Sequence, residues 1–579
     1  MDERDMTNNT TNDTTNNTTN DIKSVKDAAA KWEKEKRQPF ISERPERRSL
    51  YKNDLGHEIK PVYTPADLAE RGFDYEKDCG FPGQPPYTRG AWANMNRSDH
   101  AYIGCYSGFG DAEETKPRYE KVVKWGCTKL EMAWDLPTQI GYDSDHIMAT
   151  GEVGRTGVAV DTFKDIEIMF ENIRLDQIKA LQLLANSIGP IGLGIQIALA
   201  RKQGVKFSAM QGFLQNDVLK EYCARGTYIF PVNSAVKLSC DVVEWCINNA
   251  PNWKPLCICA NHLNAAGAGS HNAIAFAMCN AFVYIDELIA RGYKIEEIVP
   301  LMRFLVDERE DFFVMVALPR AARKVWEQQV GKRYGVTDPN SPALRYDVST
   351  YSHGGETLTE PINNILRIGF SALGYYLGGS TYIYCAGYDE AMGLTSETTC
   401  KVAIRTNQII NNELGFSKTI DPFAGSYFVE SLTMDIANDI TKQVDYVMKN
   451  YGDAKNAMDK GYFQGVMSQG SVRRQAEFEN GERQFVSLNL FPTDEQLPTG
   501  AYRMDPAVEK RQLARLAAVK KSRDQARVKA CLDNLREIAQ TNRNTVDAVV
   551  DCLEAYCTLG EICDVWRGVY GEFQTLTTF

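Results

Sequence analysis

The chain has 579 residues, 43% of them hydrophobic and 24% charged, the balance of a globular protein with roughly one large domain plus extensions or several ordinary ones. Its net charge of −11, from 65 basic and 76 acidic side chains, argues against a nucleic-acid surface. No apolar run is expected to span a membrane, and the N-terminus lacks the apolar core of a signal peptide, so the expected location is the cytoplasm with no membrane partner.

Residues 1–21 are a Thr/Asn-rich tail with too few apolar side chains to offset the entropy of ordering, and are expected to be disordered. Residues 22–86 read as a charged, helix-prone segment followed by an extended arm, a feature that more often wraps a neighbouring subunit or domain than does chemistry. From 87 to 415 short apolar runs alternate with longer amphipathic ones. The runs predict strands at 129–134, 180–184, 207–210, 227–230, 256–260, 302–305, 344–348 and 381–384. Helices are expected between them, among others at 235–249, 273–290, 312–330, 362–377 and 401–412. Eight such units make an α/β fold, a (β/α)8 TIM barrel, with an open doubly wound sheet as the alternative. Residues 416–579 read as a C-terminal helical region, with long helices at 509–540 and 545–570.

Within this pattern, Leu256-Cys257-Ile258-Cys259-Ala260-Asn261-His262 is a buried strand ending in Asn-His, followed by a small-residue loop and an Ala-rich helix. A histidine just past the carboxyl end of a parallel strand lies where such folds gather their chemistry. Taken alone it would more often be a hydrogen-bonded core or capping residue. The fifteen cysteines are scattered with no Cys-x-x-Cys pair, so reduced, mostly buried thiols are expected and no metal site.

Several stretches together resemble the large subunit of the adenosylcobalamin-dependent acyl-CoA mutases, the methylmalonyl-CoA mutase family. They are Tyr87-Thr88-Arg89-Gly90; Trp134-Asp135-Leu136-Pro137-Thr138 with Gly141-Tyr142-Asp143-Ser144-Asp145; Gly151-Glu152-Val153-Gly154; Gly157-Val158-Ala159-Val160-Asp161-Thr162; Gln215-Asn216-Asp217-Val218-Leu219-Lys220-Glu221; Thr227-Tyr228-Ile229-Phe230-Pro231; the His262 stretch; Asp389-Glu390-Ala391; Asp421-Pro422-Phe423-Ala424-Gly425-Ser426; and Gly560-Glu561-Ile562. They run in one order from about Gly80 to the C-terminus.

The resemblance implies a barrel that threads an acyl-CoA along its axis, with the cofactor adenosylcobalamin across one mouth. It implies a radical rearrangement in which a group migrates to the adjacent carbon while the protein positions, excludes water and stabilises charge. His262 matches the histidine that hydrogen-bonds the thioester carbonyl, Gln215 an amide beside it, and Tyr106 the tyrosine that shields the substrate radical. Arg225 matches the arginine that grips a second substrate carboxylate. Trp92, Met95, Arg97 and Arg303 fall along the path of the CoA. Glu390, Asn261 and Ala386 fall where the family holds the adenosyl group, the last two replacing a tyrosine and an asparagine.

The resemblance also marks departures. Arginines that reach the CoA phosphates fall on Asp99, Gly104 and Leu301, and small hydroxyl residues of the family's barrel are Glu131, Leu181, Cys257 and Cys259 here. Segment Tyr351-Ser352-His353-Gly354-Gly355-Glu356 differs as well. None of the six histidines sits in the Asp-x-His-x-x-Gly loop of the family's cobalamin domain, and no further α/β pattern precedes Phe579. The expectation is therefore a two-component mutase whose small subunit carries the cobalamin, assembled as a dimer of heterodimers. Its substrate would be a dicarboxylic acyl-CoA with a bulky alkyl or aryl substituent, of the benzylmalonyl- or phenylsuccinyl-CoA type. A plain methylmalonyl-CoA mutase and a non-catalytic assembly subunit are the alternatives.

Overall fold

The computed structural model describes residues 10–98, 102–493 and 505–574. Its centre is eight strands: β1 Tyr102–Ser107, β2 Lys129–Met132, β3 Ala180–Leu184, β4 Gln211–Gln215, β5 Leu256–Cys259, β6 Met302–Val306, β7 Val348–Ser352 and β8 Tyr382–Cys385. They run in the order β4-β3-β2-β1-β8-β7-β6-β5, with the paired strands parallel. The two ends of that order meet. Leu214 N donates to Lys254 O at 3.1 Å and Lys254 N to Gly212 O at 2.9 Å, closing the (β/α)8 barrel.

Eight strands are expected and eight are present, but they are not the same eight. β1 is missing from the expected set because Gly104 interrupts its apolar pattern. A Cβ there would meet the Tyr382 hydroxyl and the Glu131 carboxylate, so with glycine those two side-chain ends can occupy the space over β1. Residues 227–230, expected as a strand, form none. They are held extended by side chains instead, with Glu221 accepting from Thr227 N at 3.1 Å and from Thr227 Oγ1 at 2.6 Å. Residues 207–210 begin in a single 3-10 turn, Phe207–Ala209, and the strand follows it. In 344–348 the strand starts only at Val348.

Half of the tail expected to be disordered is helical: Thr10–Trp32 is one continuous helix. Once the Ala28-Ala29-Ala30 part is wound, each added turn gains hydrogen bonds without a new nucleation cost, and this carries the helix into poor helix formers. Residues 1–9 lie outside the described residues. The helix Ser270–Ala290 is long and apolar enough to cross a membrane, contrary to expectation. It is largely buried, packed between the helices Val232–Asn249 and Phe312–Tyr334 and under Tyr427–Tyr451.

The two long C-terminal helices are each broken in two. Ala507–Ser522 and Gln525–Ala539 are separated where the Asp524 carboxylate accepts from Ala526 N and Arg527 N. Val546–Glu554 and Leu559–Tyr570 are separated by a capping box, Thr558 with Glu561.

The arm packs on this chain's own helices. His57 Nε2 lies 2.6 Å from Asp439 and Arg71 3.0 Å from Asp435, both on the helix Tyr427–Tyr451. The buried Arg323 donates to Tyr87 O at 2.8 Å, Thr88 O at 2.9 Å, Gly378 O at 2.7 Å and Gly379 O at 3.3 Å.

Asp217 ties the tops of β4 and β5 together. One oxygen accepts from Cys259 N at 3.0 Å and the other from Tyr284 Oη at 2.9 Å, and Tyr284 Oη in turn accepts from Leu219 N. Replacing Asp217 with Ala orphans a buried N–H and a buried hydroxyl, each costing about 1–3 kcal/mol. Asp217→Ala should therefore lower the denaturant midpoint clearly with an unchanged slope. A midpoint equal to wild type would contradict this role.

Candidate active site

Side chains alternate along a strand, so a closed barrel turns every second residue toward its axis. In register around one half of this barrel those residues are Tyr106, Glu131, Gln182 and Phe213. Around the other half Arg303 pairs with Cys257, Leu305 with Cys259 and Ser349, and Tyr351 with Tyr384. A packed barrel core would carry branched aliphatics at these positions. Rings and charges here enclose space.

That space is two cavities on one axis. The upper one, about 290 Å³, lies toward the carboxyl ends of the strands and is lined by Tyr106, Gln215, Arg225, Asn261, His262, Arg303 and Glu390 together with Glu131, Tyr351, His353 and Tyr384. The lower one, about 1140 Å³, opens at the amino ends and is lined by Trp92 and Met95, with Lys179, Lys206, Lys254, Arg303 and Arg345 against Asp176 and Asp347. Phe213 and Arg303 belong to both walls. Between the cavities the Lys129 ammonium sits 3.6 Å from the Tyr382 ring centre and 4.3 Å from that of Phe213. The Arg303 guanidinium lies 4.4 Å over Phe213 and pairs with Asp347 at 2.9 Å. Glu131 Oε1, Arg303 Nη1 and Tyr382 Oη are buried in this layer without a hydrogen-bond partner.

The upper chamber brings together most of the residues read from the sequence, and each is positioned by a local device. His262 lies in the first turns of a short helix, Ala260–Ala265, that starts directly after β5 where a loop was expected. Its Nδ1 is 2.7 Å from the Lys220 ammonium. Burial, then Lys220, hold the imidazole well below its usual pKa, so it is neutral. Gln215 ends β4, and its Oε1 accepts from Lys220 at 2.7 Å and from Asn186 at 3.1 Å.

Arg225 closes the π-turn Glu221–Arg225, which Gly226 ends in a left-handed conformation (φ 89°). Its Nη1 donates to Thr227 Oγ1 at 3.0 Å and stands 3.4 Å from Glu221. Burial pushes the Tyr106 phenol up to about 12, against the pull of Arg225, so it stays protonated. Its ring packs edge-on to Tyr384, which stacks on Tyr351 at 4.1 Å. Glu390 is tied to Tyr351 and accepts from Tyr384 Oη at 3.3 Å.

Other expected residues lie elsewhere. Ala386 is buried beyond the end of β8, does not line the chamber and has no polar group to offer. Arg97 lines a small side cavity that shares Met95 with the lower one, whose own lining does not include Arg97. Leu301 is buried outside the lower cavity's lining, and Asp99 lies outside the described residues. The sequence reading missed Lys220, Lys129, Tyr382 and the lower basic set. A signal existed for the last: Lys179, Lys254 and Arg345 each sit one to three residues ahead of a strand, at the rim of one mouth.

The chemistry this geometry allows is that of a neutral N–H donor, an amide, a phenol and a guanidinium around one chamber, with a basic vestibule behind it. The family model for methylmalonyl-CoA mutase matches residues 52–572. The chain is 32% identical over 552 residues to the 2-hydroxyisobutanoyl-CoA mutase large subunit of Aquincola tertiaricarbonis, covering 95% of this chain and 97% of that protein. It is 35% identical over 521 residues to the methylmalonyl-CoA mutase of Escherichia coli, covering 90% of this chain and 72% of that one. Against the mitochondrial methylmalonyl-CoA mutase of Homo sapiens it is 32% identical, with 89% and 68% covered. Joined to a closed barrel with its polar chamber at the carboxyl mouth, these matches show that the chain belongs to the methylmalonyl-CoA mutase family.

Proposed function

We propose that the chain is the substrate-binding large subunit of a two-component, adenosylcobalamin-dependent mutase that rearranges the carbon skeleton of a dicarboxylic acyl-CoA bearing a bulky alkyl or aryl substituent. The observation that carries it is the convergence of His262, Tyr106 and Arg225 on one chamber. The lower cavity's excess of cations suits the phosphates of a CoA. The acyl arm would pass between Phe213 and Arg303, where the unpartnered Glu131, Arg303 and Tyr382 atoms can pair with its amides.

His262 and Gln215 would hold the thioester carbonyl, where negative charge accumulates. Arg225 would take the second carboxylate, since a guanidinium fork matches it and Glu221 holds the fork only loosely. The aromatic wall of Tyr106, Tyr351 and Tyr384 supports a substituent larger than methyl. The cofactor fits the residues present. Glu390 offers a carboxylate to ribose hydroxyls, and Asn261 Oδ1 is a buried acceptor without a partner on the same chamber. When bound, adenosylcobalamin supplies homolytic chemistry at its cobalt–carbon bond. The near full-length match to a protein named as a large subunit supports a separate small cobalamin-binding subunit. A dimer of heterodimers in the cytoplasm is part of the same proposal.

The test is turnover by the purified chain with its cobalamin subunit on methylmalonyl-CoA, 2-hydroxyisobutanoyl-CoA, benzylmalonyl-CoA and phenylsuccinyl-CoA. The substituted diacids should be preferred, and preference for methylmalonyl-CoA would overturn the substrate reading. Arg225→Gln should cut kcat/KM on the diacid by about thirtyfold or more, the usual scale for losing one partner of a buried charge pair. An unchanged value would point to a monoacid.

Burial pushes the Glu390 carboxyl from 4.5 up to about 7, with hydrogen bonds from Tyr351, Gly387 and Tyr384 opposing. Between those values the folded chain keeps a proton that the unfolded chain has released. The associated stability is complete below about 4.5 and lost as pH rises through about 7. Glu390→Gln removes that loss, so its Tm relative to wild type should rise from pH 5 to pH 8. A pH-independent difference would contradict the shift.

A further inference from the structure

Lys220 is fully buried, in the turn between β4 and the Glu221–Arg225 segment, and no role for it follows from the reaction itself. Its ammonium makes three contacts: His262 Nδ1 at 2.7 Å, Gln215 Oε1 at 2.7 Å and, more distantly, Glu221 Oε1 at 3.6 Å. Two of these partners are chemically ambivalent. A neutral imidazole has one donor and one acceptor nitrogen, and either can carry the proton. A carboxamide can present its oxygen or its NH2 by turning over. An ammonium has three donors and no acceptor, so whatever it touches must accept.

We propose that Lys220 is a positioning residue whose single ammonium commits the acceptor atoms of both His262 and Gln215, so that each can offer only N–H to the substrate. Contact with Lys220 leaves His262 with its proton on Nε2. It leaves Gln215 with Oε1 turned inward, where Asn186 also binds it, and the amide hydrogens as its free side. The two side chains come from different elements, the end of β4 and the helix after β5. One cation between those elements thus turns two interchangeable groups into a fixed pair of donors, the arrangement a carbonyl oxygen gaining negative charge requires. Lys220 also acts against an imidazolium, as do Arg225, His353 and Arg309, with burial the largest cause. Without it His262 could take either tautomer, and Gln215 could turn its oxygen toward the thioester.

This inference rests on reading His262 and Gln215 as partners of a thioester carbonyl, and its test separates the two. Nitrogen-15 NMR of the full-length chain, with the His262 signals identified among six histidines by their loss in His262→Gln, reads the tautomer directly. Wild type should show an unprotonated, hydrogen-bonded Nδ1 and a protonated Nε2 throughout pH 6–9. Lys220→Met should show the other tautomer, or an imidazolium toward pH 6. With the cobalamin subunit added, Lys220→Met should lose about a hundredfold in kcat, the scale of one misplaced oxyanion donor, with KM changed far less. Lys220→Arg should recover part of that loss. A wild-type Nδ1 that carries the proton would overturn the proposal, as would Lys220→Met with wild-type imidazole signals. If Lys220→Met does not fold, the wild-type spectrum still decides. Should wild type show the expected tautomer yet turn over no acyl-CoA, the mutase reading fails and the positioning role stands.

Discussion

Closing eight parallel strands into a cylinder leaves nowhere for alternate side chains to go but the axis, and the composition of those positions decides whether a barrel is solid or hollow. Here they include four tyrosines, a phenylalanine, a lysine, an arginine and a glutamate. Such groups cannot interdigitate as branched aliphatics do, because each needs a partner for its polar end. The barrel meets that need in part with ion pairs inside the axis, Lys129 with Glu131 and Arg303 with Asp347, and by stacking the cations on rings, while Glu131 Oε1, Arg303 Nη1 and Tyr382 Oη keep no hydrogen-bond partner. The outcome is a polar, aromatic interior divided into a chamber and a vestibule.

The segments by which the family is recognised are only partly the segments that face the chamber. Asp135 caps a turn and accepts from Gly154 N at 2.7 Å, Asp161 accepts from Ser144 N and from Gln512, and Asp143 accepts from Gly560 N at 2.8 Å. These contacts join the loops after β2 to the C-terminal helices. The carboxylates are buried and spoken for, so their part is to hold a scaffold. Tyr106 on β1, Gln215 at the end of β4, Arg225 in the turn that follows it and His262 after β5 face the chamber instead.

The fold class was legible because long helices and short apolar runs alternate strongly enough to survive errors in single elements. The strand with a glycine at its middle escaped notice, while an aromatic stretch after Gly226 imitated a strand whose hydrogen bonds in fact go to Glu221, Ser187, Tyr222 and Phe573. The chamber residues were legible only through their neighbours in short motifs, since neither His262 nor Arg225 is distinctive alone. What stayed hidden was whatever depends on register. That Lys129, Phe213, Tyr382 and Arg303 meet on the axis follows from pairing across four strands, and that Lys220 reaches two partners follows from a turn. Ala386 and Arg97 mark the opposite failure, in which a position transfers from a relative but its surroundings do not.

The guanidinium of Arg323 has another implication. Its four close partners are all uncharged carbonyls, two from the segment ahead of the barrel and two from the tight bend before β8, and burial lowers its pKa to about 9. The backbone here does the work of a hydration shell, and residues 87 and 88 supply half of it. Any circular permutant, shortened version or fusion built on this cylinder must therefore keep those two peptide groups in place, or leave a bare cation in a region closed to solvent.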